Sequence, residues 1–582
     1  MNKSISYAIN KLLKENKMEI QKDNRVIFRV IDPGFGKTNI FRFVASQTIA
    51  LGPVMIATMA KRWLAWLDAE VVSENNCHQK RGAPLDQAGR LDHLALQQLR
   101  PAAIIGVSAS ITNAVPRALE IIKAYAAMPQ AVRPKAIIVG GWHAGDDPKP
   151  FLRAGADAVI HGEGEPIIAP LIDALVHGQG LENISGISYW SNGQIKRNGI
   201  ADSSYENCDP NQKGFLVVPQ AEMAALPDPD FGLVRFAKIK VAPVFCGRGC
   251  SGRCKFCRVK GEARYLPPKR VVAQIQNVYS IGIRRIFVVD DRSEEKLDNF
   301  KAWLQLLIDW VQEYNIRNLD ISTQNRLSLA THPEVLALMR KACINTVCIG
   351  FESPIKEELG AMAKPTKPEM MREWTKIWKS YGFFVHCMMF FGYPIEPGNP
   401  QPLNAAGQPM SAAERAEVFW EFIKAVGPTY LQLLIFSPII GTYDHQWLKN
   451  AGRLLEGIPL ELHDGLHVLF VPDAGITPAE IQQEAVNLSR KFYARKIWRF
   501  SWLALIWHSL RVGTITISMP FVWAAILPFQ NFRPKLAWQW PKRNFRISIR
   551  HWGAQLIILK FLKSLADFKK MLGTLSKKGK AV

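Results

Sequence analysis

Four cysteines fall within twelve residues of the 582-residue chain, in the stretch VFCGRGCSGRCKFCRVKG. Cys250, Cys254 and Cys257 have the spacing C-x3-C-x2-C, and Phe256 precedes the last of them. Three thiolates on one short loop are suited to hold three irons of a 4Fe-4S cube and to leave the fourth iron open to a ligand. The spacing therefore predicts an iron–sulfur site with one free coordination position.

A closed metal site is the alternative for this loop. Zinc normally takes four ligands, and its common signature is a pair of CxxC hairpins separated by a spacer. No second pair follows, although Cys246 would complete a C-x3-C-x3-C-x2-C set. We favour the open cube because a closed site explains neither the strand predicted before the loop nor the domains around it, and the role of Cys246 stays open.

At these residues the chain resembles the radical SAM superfamily, in which such a loop follows the first strand of a partial barrel. The resemblance implies that Cys250, Cys254 and Cys257 are the cluster ligands and that Phe256 lies near the adenine of S-adenosylmethionine (SAM). In that family the open iron binds the amino and carboxylate groups of SAM. An electron from the reduced cluster then cleaves the sulfonium and releases a 5′-deoxyadenosyl radical.

Three downstream segments have the order and spacing of the same family. They are VVDDR at residues 288–292, IGFES at 349–353 and FFGYPIE at 390–396. Each match is weak by itself, because an acidic residue at a strand end is often only a helix N-cap. As a series they imply SAM-binding roles for Asp290, Asp291, Glu352, Ser353 and Gly392.

The elements that must position these residues are predicted over residues 238–442. Strand candidates alternate there with helices, in the segments KVAPVF, RIFVVDD, NLDISTQ, TVCIGFE, FVHCMMFFG and YLQLLIFS. Six such units predict a partial TIM barrel, interrupted by the loop EPGNPQPLNAAGQPMSA. The fold class is therefore α/β.

A second α/β domain is predicted in front of the barrel, over residues 26–180. Short apolar strands such as VIFRVID, AAIIGVSA and KAIIVGG alternate with helical stretches, which is typical of a doubly wound, Rossmann-like parallel sheet covered on both faces. Residues 1–25 predict a short N-terminal helix. Residues 181–237 predict a connector that contains a small hairpin.

Three glycine-rich segments of this domain follow strands: GVSASITN at 106–113, VGGWHAG at 139–145 and IHGEGEP at 160–166. In an open parallel sheet, ligands bind beyond the carboxyl ends of the strands, where small residues let the backbone approach closely. The set resembles the cobalamin-binding domain that precedes the barrel in a large radical SAM subgroup. It implies cobalamin-binding roles for Ser108, Ser110, Thr112, Gly140, Gly141, His143, Gly162, Glu163, Gly164 and Glu165.

Two motifs are missing from this domain. No D-x-H-x-x-G string occurs, so a structural role for His143 is favoured over cobalt ligation. The GKT at residues 36–38 is not a Walker A motif, because the glycine required five residues before Gly36 is Ile31. A flavodoxin-like interaction module without a ligand is the alternative for the whole domain.

The positive charge is concentrated at the C-terminus. The net charge is +23, and 19 basic residues against one acidic residue, Asp567, lie beyond position 489. After a helical extension over 443–490, this composition predicts a helical, basic, Trp-rich tail at 491–582 that associates with a membrane surface. The 21 uncharged residues at 512–532 are interrupted by Pro520 and Pro528, so we expect an interfacial segment rather than a span.

Other partners for the tail are weighed against its apolar run. Nucleic acid is disfavoured, because nucleic-acid-binding segments seldom carry so continuous an apolar stretch. A buried helical domain with a basic exterior remains the alternative. Nine cysteines are too few for a disulfide scaffold and the N-terminus has no signal-like apolar region, which predicts a cytoplasmic protein at the inner face of the membrane.

The two resemblances together imply a cobalamin-dependent radical SAM enzyme that methylates an unactivated carbon. The tail favours a hydrophobic or lipid-like substrate, and the cluster requires an external electron donor of the flavodoxin or ferredoxin type. A related cyclisation or oxidative rearrangement is the first alternative. A catalytically silent membrane-associated scaffold is the second.

Overall fold

The computed structural model describes residues 25–36, 39, 41–199, 215–259, 261–496, 554, 565 and 567–573. The chain divides into two compact units. Unit 1 comprises residues 1–347, 438–452 and 457–464, and unit 2 comprises residues 348–437, 453–456 and 465–582. The N-terminal sheet and the cysteine loop therefore belong to the same unit.

Unit 1 contains a seven-stranded sheet in the order β2-β1-β3-β4-β5-β6-β7. Strands β1 to β5 pair in parallel, and β6 and β7 are antiparallel. The strands are β1 Val26–Asp32, β2 Leu67–Ser73, β3 Ile104–Ser108, β4 Ala136–Gly140, β5 Ala158–Ile160, β6 Ile187–Ser191 and β7 Gln194–Asn198. The α/β class is confirmed, but the sheet is mixed, because the hairpin predicted in the connector adds two strands to its edge.

In the part of the chain that the structure describes, seven α-helices lie between the strands of this sheet, and an eighth follows its last strand. They are α1 Phe41–Ala45, α2 Leu51–Trp63, α3 His93–Leu99, α4 Val115–Ala126, α5 Trp142–Asp146, α6 Lys149–Ala154, α7 Ile168–His177 and α8 Gln220–Met223. Helix α4 shows why they pack: Ala118, Ile121, Ile122 and Tyr125 recur at helical spacing and are fully buried. They join one core cluster with Val107 and other residues of the sheet.

The strand order fixes where a ligand site can form. Strand β1 lies between β2 and β3, so the connection from β1 to β2 runs to one side of β1 and the connection from β2 to β3 crosses back to the other side. At this reversal of strand order a crevice opens at the carboxyl ends of β1 and β3. The loop that follows β4 closes on the same crevice. At Gly141, with φ of 115°, an added Cβ would lie 2.5 Å from Ser110 Oγ, so only glycine allows these two loops to approach.

All six strands predicted for the barrel are present. They are β8 Ala242–Val244, β11 Arg285–Val288, β12 Asp320–Gln324, β13 Ile344–Glu352, β14 Phe384–Phe391 and β15 Tyr430–Ile435. In unit 1 the order is β8-β11-β12-β13, and in unit 2 it is β13-β14-β15, since β13 runs through the boundary. The short strands β9 Gly247–Arg248 and β10 Arg264–Tyr265 form a separate antiparallel hairpin.

Helices again follow these strands. They are α9 Pro268–Ser280, α10 Leu297–Glu313, α11 Pro333–Lys341, α12 Lys356–Ala361, α13 Pro368–Ser380, α14 Ala412–Val426, α15 Tyr443–Asn450 and α16 Pro478–Lys496. No helix in the described part of the chain is long and apolar enough to cross a membrane. Residues 1–24 of the predicted N-terminal helix and the uncharged segment 512–532 lie outside the described residues.

Residues 565 and 567–573 of the basic tail lie in unit 2. Residues 567–573 are helical, and Leu565, Phe568 and Leu572 are at most 4% exposed. The ring of Phe568 lies 4.7 Å from that of His467, and Lys569 Nζ donates to Gln483 Oε1 at 2.7 Å. These apolar side chains therefore contact the protein itself, as in the alternative of a buried helical element with a basic exterior.

Candidate active site

The three spaced cysteines lie on the loop that joins β9 to β10. All three thiols are half-buried. Local turns shape the loop: the Cys257 backbone N donates to Cys254 O at 3.2 Å, and Gly252 N donates to Cys250 Sγ at 3.4 Å. The antiparallel β9–β10 ladder closes the base of the loop, so the cysteine spacing is presented on one short excursion of the chain.

The three thiols of this loop are the donor set of a cube that keeps one iron open. Among the described residues, no three Cys, His, Asp or Glu side chains converge on one metal ion. Each thiolate of a cube binds a different iron, so three thiols on one short loop suit that group. Cys246 differs, since it is 1% exposed and burial beside Asp290 raises the pKa of its thiol well above its ordinary value. This argues against Cys246 as a fourth ligand.

Carboxylates from the barrel strands hold one side of the loop. Asp290 follows β11, and its oxygens accept from the backbone N of Cys246 at 2.9 Å and of Gly247 at 3.1 Å. Burial raises the pKa of Asp290 to about 7, against the lowering effect of these hydrogen bonds. Glu295 accepts from Ser251 N at 3.0 Å. Asp290 thus positions the start of the loop, and burial raises the pKa of its neighbour Asp291 to about 6.

Arginines of the cysteine hairpin hold the other side against the rim of the N-terminal sheet. Arg264 makes two hydrogen bonds of 2.9 Å to the two oxygens of Glu163. Arg248 donates to Glu165 at 2.5 Å. Burial would raise the pKa of Glu163, but Arg264 and Arg248 hold it below its ordinary value. Both predicted cobalamin-binding glutamates are therefore engaged by the hairpin, and they connect the rim to the cysteine loop.

A cavity of about 480 Å³ opens between the rim and the hairpin, within unit 1. Eight of the ten predicted rim residues line it: Ser108, Ser110, Gly140, Gly141, Gly162, Glu163, Gly164 and Glu165. Asp290 and Asp291 line it from the segment that follows β11. Apolar side chains such as Val30, Met55 and Phe245 form much of the wall, which is typical of a pocket for a large organic ligand.

Thr112 and His143 are not among the lining residues. His143 is 6% exposed, its Nδ1 lies 3.1 Å from Thr112 Oγ1, and its ring packs edge-on against Phe151. Burial lowers the pKa of His143. This environment agrees with the structural role that the missing D-x-H-x-x-G motif favours.

His161 ties two of the rim loops together. Its ring is 1% exposed; Nδ1 lies 2.7 Å from Gly145 O, and Nε2 lies 2.8 Å from Ser188 Oγ. Burial lowers the pKa of His161 to about 4. The neutral ring with a proton on Nδ1 donates to the carbonyl and accepts from the serine hydroxyl, so both of its nitrogens are used.

Several cavity residues escaped the sequence analysis. Asp32 ends β1 and accepts from Ser73 Oγ at 2.7 Å, and burial raises its pKa to about 6. An acidic residue at the end of the first strand was a usable signal. The arginines carried none, because their partners lie about a hundred residues away in sequence. The missed lining residues include Asp32, Phe35, Trp142, Phe215, Arg248, Arg258 and Arg264.

The remaining predicted residues, including the three cluster cysteines, do not line this cavity. Phe256 is half-buried on the cysteine loop. In unit 2, Glu352 has φ of 62° and accepts from Lys364 Nζ at 2.7 Å. Ser353 is fully buried and accepts from Ile355 N at 3.0 Å, and an added Cβ at Gly392 would meet Ile481 at 2.6 Å. The local contacts of Ser353 and Gly392 are those of a turn and of close packing.

Comparisons with known sequences agree with this site. Residues 244–399 match the family model described as the radical SAM superfamily. The chain is 28% identical over 250 residues to the hopanoid C-2 methylase of Rhodopseudomonas palustris, covering 41% of this chain and 44% of that protein. It is 26% identical over 323 residues to an uncharacterised methyltransferase of Pyrococcus horikoshii, covering 53% and 61%. The matches span less than two thirds of either relative.

Solved structures extend the likeness over more of the chain. The cobalamin-dependent SAM radical enzyme OxsB, with aqua-cobalamin bound, matches with a TM-score of 0.59 at 14% identity, covering 97% of this chain and 86% of that one. The radical SAM methyltransferase TsrM of Kitasatospora setae, with cobalamin and a [4Fe-4S] cluster bound, matches with a TM-score of 0.57 at 14% identity, covering 81% and 89%. At these identities the likeness is one of fold. Residues 244–399 thus carry the match to the radical SAM superfamily, and the fold of the chain is similar to that of two enzymes solved with cobalamin bound.

Proposed function

We propose that this chain is a cobalamin-dependent radical SAM methyltransferase that methylates an unactivated carbon of a hydrophobic substrate. One observation carries the proposal. The hairpin that bears the three half-buried thiols contributes Gly249 and Arg258, the sequence neighbours of Cys250 and Cys257, to the wall of the cavity that the glycine-rich rim of the N-terminal sheet also lines. A cluster site beside this cavity and a corrin site within it would allow radical formation and methyl transfer to meet at one substrate atom.

The donor chemistry assigns a group to each side of the cavity. Cys250, Cys254 and Cys257 would hold a 4Fe-4S cluster, and the rim segments at 106–113, 139–145 and 160–166 would hold a corrin. When bound, the cluster with SAM supplies a radical able to remove hydrogen from carbon, and the corrin supplies a methyl group. The relatives named as methylases and methyltransferases support transfer of a methyl group as the outcome.

The chain's own residues orient these groups and exclude water. Asp290 and Glu295 fix the backbone of the cysteine loop from one side, and Glu163 and Glu165 fix the hairpin through arginines from the other. The apolar wall of the cavity would exclude water from the place where a radical acts and so prevent side reactions. Asp291 is the carboxylate at the end of β11 that suits the cationic amino group of SAM, since Asp290 is engaged by backbone N–H groups.

The substrate and partners follow from the tail and from one relative. A relative named as a hopanoid C-2 methylase supports a hydrophobic substrate. The basic, Trp-rich residues of 491–582 that lie outside the described part of the chain support peripheral association with the inner face of a membrane. Reduction of the cluster calls for a flavodoxin- or ferredoxin-type donor, and nucleic acid is not expected as a partner.

Anaerobic reconstitution tests the proposal. The purified chain is loaded with iron, sulfide and hydroxocobalamin, and iron and corrin are quantified together with 5′-deoxyadenosine formed from SAM under reduction. We expect about four irons and one corrin per chain. Cys254→Ala should lose the iron and the 5′-deoxyadenosine, whereas the matched change Cys246→Ala should keep the iron because that thiol is buried.

The outcomes separate the alternatives. Mass spectrometry of membrane lipids from a strain lacking the gene should reveal lipids that are lighter by one methylene than in the parent. A product that differs by loss of hydrogen instead of gain of carbon would point to cyclisation or oxidation. A filled cluster that forms no 5′-deoxyadenosine with lipid extract supplied would point to a silent scaffold.

A further inference from the structure

Arg258, the residue directly after the third cysteine of the motif, reaches back to the rim of the N-terminal sheet. Its Nη2 lies 2.7 Å from Asp146 Oδ1, and its Nε lies 3.2 Å from Asp146 Oδ2. Its guanidinium also lies 4.9 Å from the ring centre of Trp142 and 5.5 Å from that of Phe215. The pair joins the tip of the cysteine loop to the end of helix α5.

A later segment of unit 1 covers this pair. Gly441 is buried with φ of 81°, and an added Cβ there would lie 2.5 Å from Arg258 Nε and 2.7 Å from Asp146 Oδ2. On the same segment, the ring of Tyr443 lies 4.5 Å from Lys255 Nζ, which is on the loop between the second and third cysteines. Asp146 is 8% exposed, so the ion pair is screened little by water.

The pair differs from the other two arginine–carboxylate contacts of the hairpin. Arg248 and Arg264 lie on β9 and β10 and fix the base of the loop. Arg258 fixes its tip, next to the thiol of Cys257. A planar guanidinium that bonds both carboxylate oxygens and stacks on an indole sets direction as well as distance, which a lysine ammonium cannot do.

We propose that Arg258, Asp146 and the glycine at 441 form a positioning latch that fixes the tip of the cysteine loop against the rim of the N-terminal sheet. The proposal rests on the function proposed above, because it assigns the latch to the spacing between the cluster side and the corrin side of one cavity. Opening the latch leaves the three thiols and the cavity in place. It allows the loop that bears the three thiols to change its orientation relative to the cavity.

The first test needs no cofactor. Hydrogen–deuterium exchange is followed by mass spectrometry on the full cofactor-free chain, over peptides covering 249–263. Arg258→Gln, Asp146→Asn and Gly441→Ala should each speed exchange of these amides about tenfold. Gly452→Ala is the matched control, because Gly452 has φ of 64° in the same segment but open space around an added Cβ, and it should leave the loop amides unchanged.

Coupling between the partners is tested by the double variant. If the pair is the latch, Arg258→Gln with Asp146→Asn should exchange no faster than either single variant. Arg258→Lys should fall between the parent and Arg258→Gln, since it keeps the charge and loses the second hydrogen bond. The proposal would be overturned if the loop amides of Arg258→Gln exchanged at the parental rate. It would also be overturned if the loop amides of Gly452→Ala exchanged as fast as those of Gly441→Ala. If Arg258→Gln loses protection from exchange throughout unit 1, the exchange of the loop amides in Arg258→Lys decides the test instead.

The second test uses the loaded chain and separates the latch from the function. In chains holding the reduced cluster and cob(II)alamin, the magnetic interaction between the two centres should weaken or broaden in Arg258→Gln at unchanged iron and corrin content. If this magnetic interaction were identical to that of the parent, the latch would not set the spacing between the two cofactors. A parental chain that binds no corrin would overturn the proposed function, while the exchange test would still decide whether the latch holds the loop.

Discussion

Two buried ion-pair networks in this chain have similar chemistry and different surroundings. In unit 1, arginines of the cysteine hairpin bind Glu163, Glu165 and Asp146 beside a cavity that several of these residues line. In unit 2, Arg415 binds both Glu358 and Asp473, and the exposed fractions of these three side chains are 2%, 0% and 8%. The second network joins α12, α14 and a later turn.

The difference teaches where a buried charge indicates function. Both networks place charges away from water, and burying an ion pair is weak evidence for either stability or catalysis. The unit 1 network lies at the carboxyl ends of parallel strands, where an open α/β sheet binds ligands. Location at the strand ends, rather than burial, separates a candidate site from a structural ion pair.

The largest effect should come from breaking the unit 2 network. Arg415→Met removes the arginine that bridges two buried carboxylates and leaves Asp473 with Arg453 alone, and we expect the free energy of unfolding to fall by about 3–5 kcal/mol. Urea denaturation followed by fluorescence measures it. Lys424→Met, which removes an exposed pair with Glu421, is the control and should change that free energy by about 0.5 kcal/mol or less. Equal losses in the two variants would contradict the structural role assigned to Arg415.

The histidine that ties the rim loops should make the unit 1 side sensitive to acid. His161 has its pKa lowered to about 4 by burial, while an unfolded histidine titrates near 6.5. The unfolded chain therefore binds more protons between these values, so the contribution of His161 is complete above pH 6.5 and is lost as the pH falls towards 4. The loss amounts to at most about 3 kcal/mol.

Thermal unfolding between pH 7 and pH 4 measures this contribution. His161→Gln should flatten the pH dependence attributable to this group, although the variant is less stable at pH 7. His177→Gln is the control, because His177 lies on the surface of the same sheet domain. A parental pH dependence that survives in His161→Gln and disappears in His177→Gln would reverse the assignment.

Breaking the unit 1 network should affect ligand binding more than overall stability. Glu163→Gln loses the two charged hydrogen bonds to Arg264, which hold the hairpin against the rim. We expect the affinity for hydroxocobalamin to fall about tenfold or more, because charged hydrogen bonds of this kind contribute roughly 1.5–3 kcal/mol. Absorbance titration of the full chain measures it. Glu182→Gln, at an exposed glutamate of the same domain, should leave the affinity unchanged, and an unchanged affinity in Glu163→Gln would place the corrin elsewhere.

The sequence predicted the strands better than the contacts among their ends. Period, apolar runs and glycine-rich strand ends identify all six barrel strands and eight of the rim residues that line the cavity, because these signals are local. The ion pairs at Glu163, Glu165 and Asp146 join residues 83 to 112 positions apart, and no local pattern encodes such a pairing. The sequence leaves the role of Cys246 open for the same reason, since that role depends on burial that only the fold determines.

The smallest effect tests a rim position that the sequence implied and the cavity does not include. Thr112→Val removes the hydroxyl 3.1 Å from His143 Nδ1, and it should lower the free energy of unfolding by about 1 kcal/mol. The affinity for hydroxocobalamin should change less than twofold, whereas Ser110→Ala, at a rim residue that lines the cavity, should reduce it by more. A tenfold loss of affinity for hydroxocobalamin in Thr112→Val would return Thr112 and His143 to the ligand-binding set. Residues behind the cavity wall, and not only those that line it, would then contribute to binding.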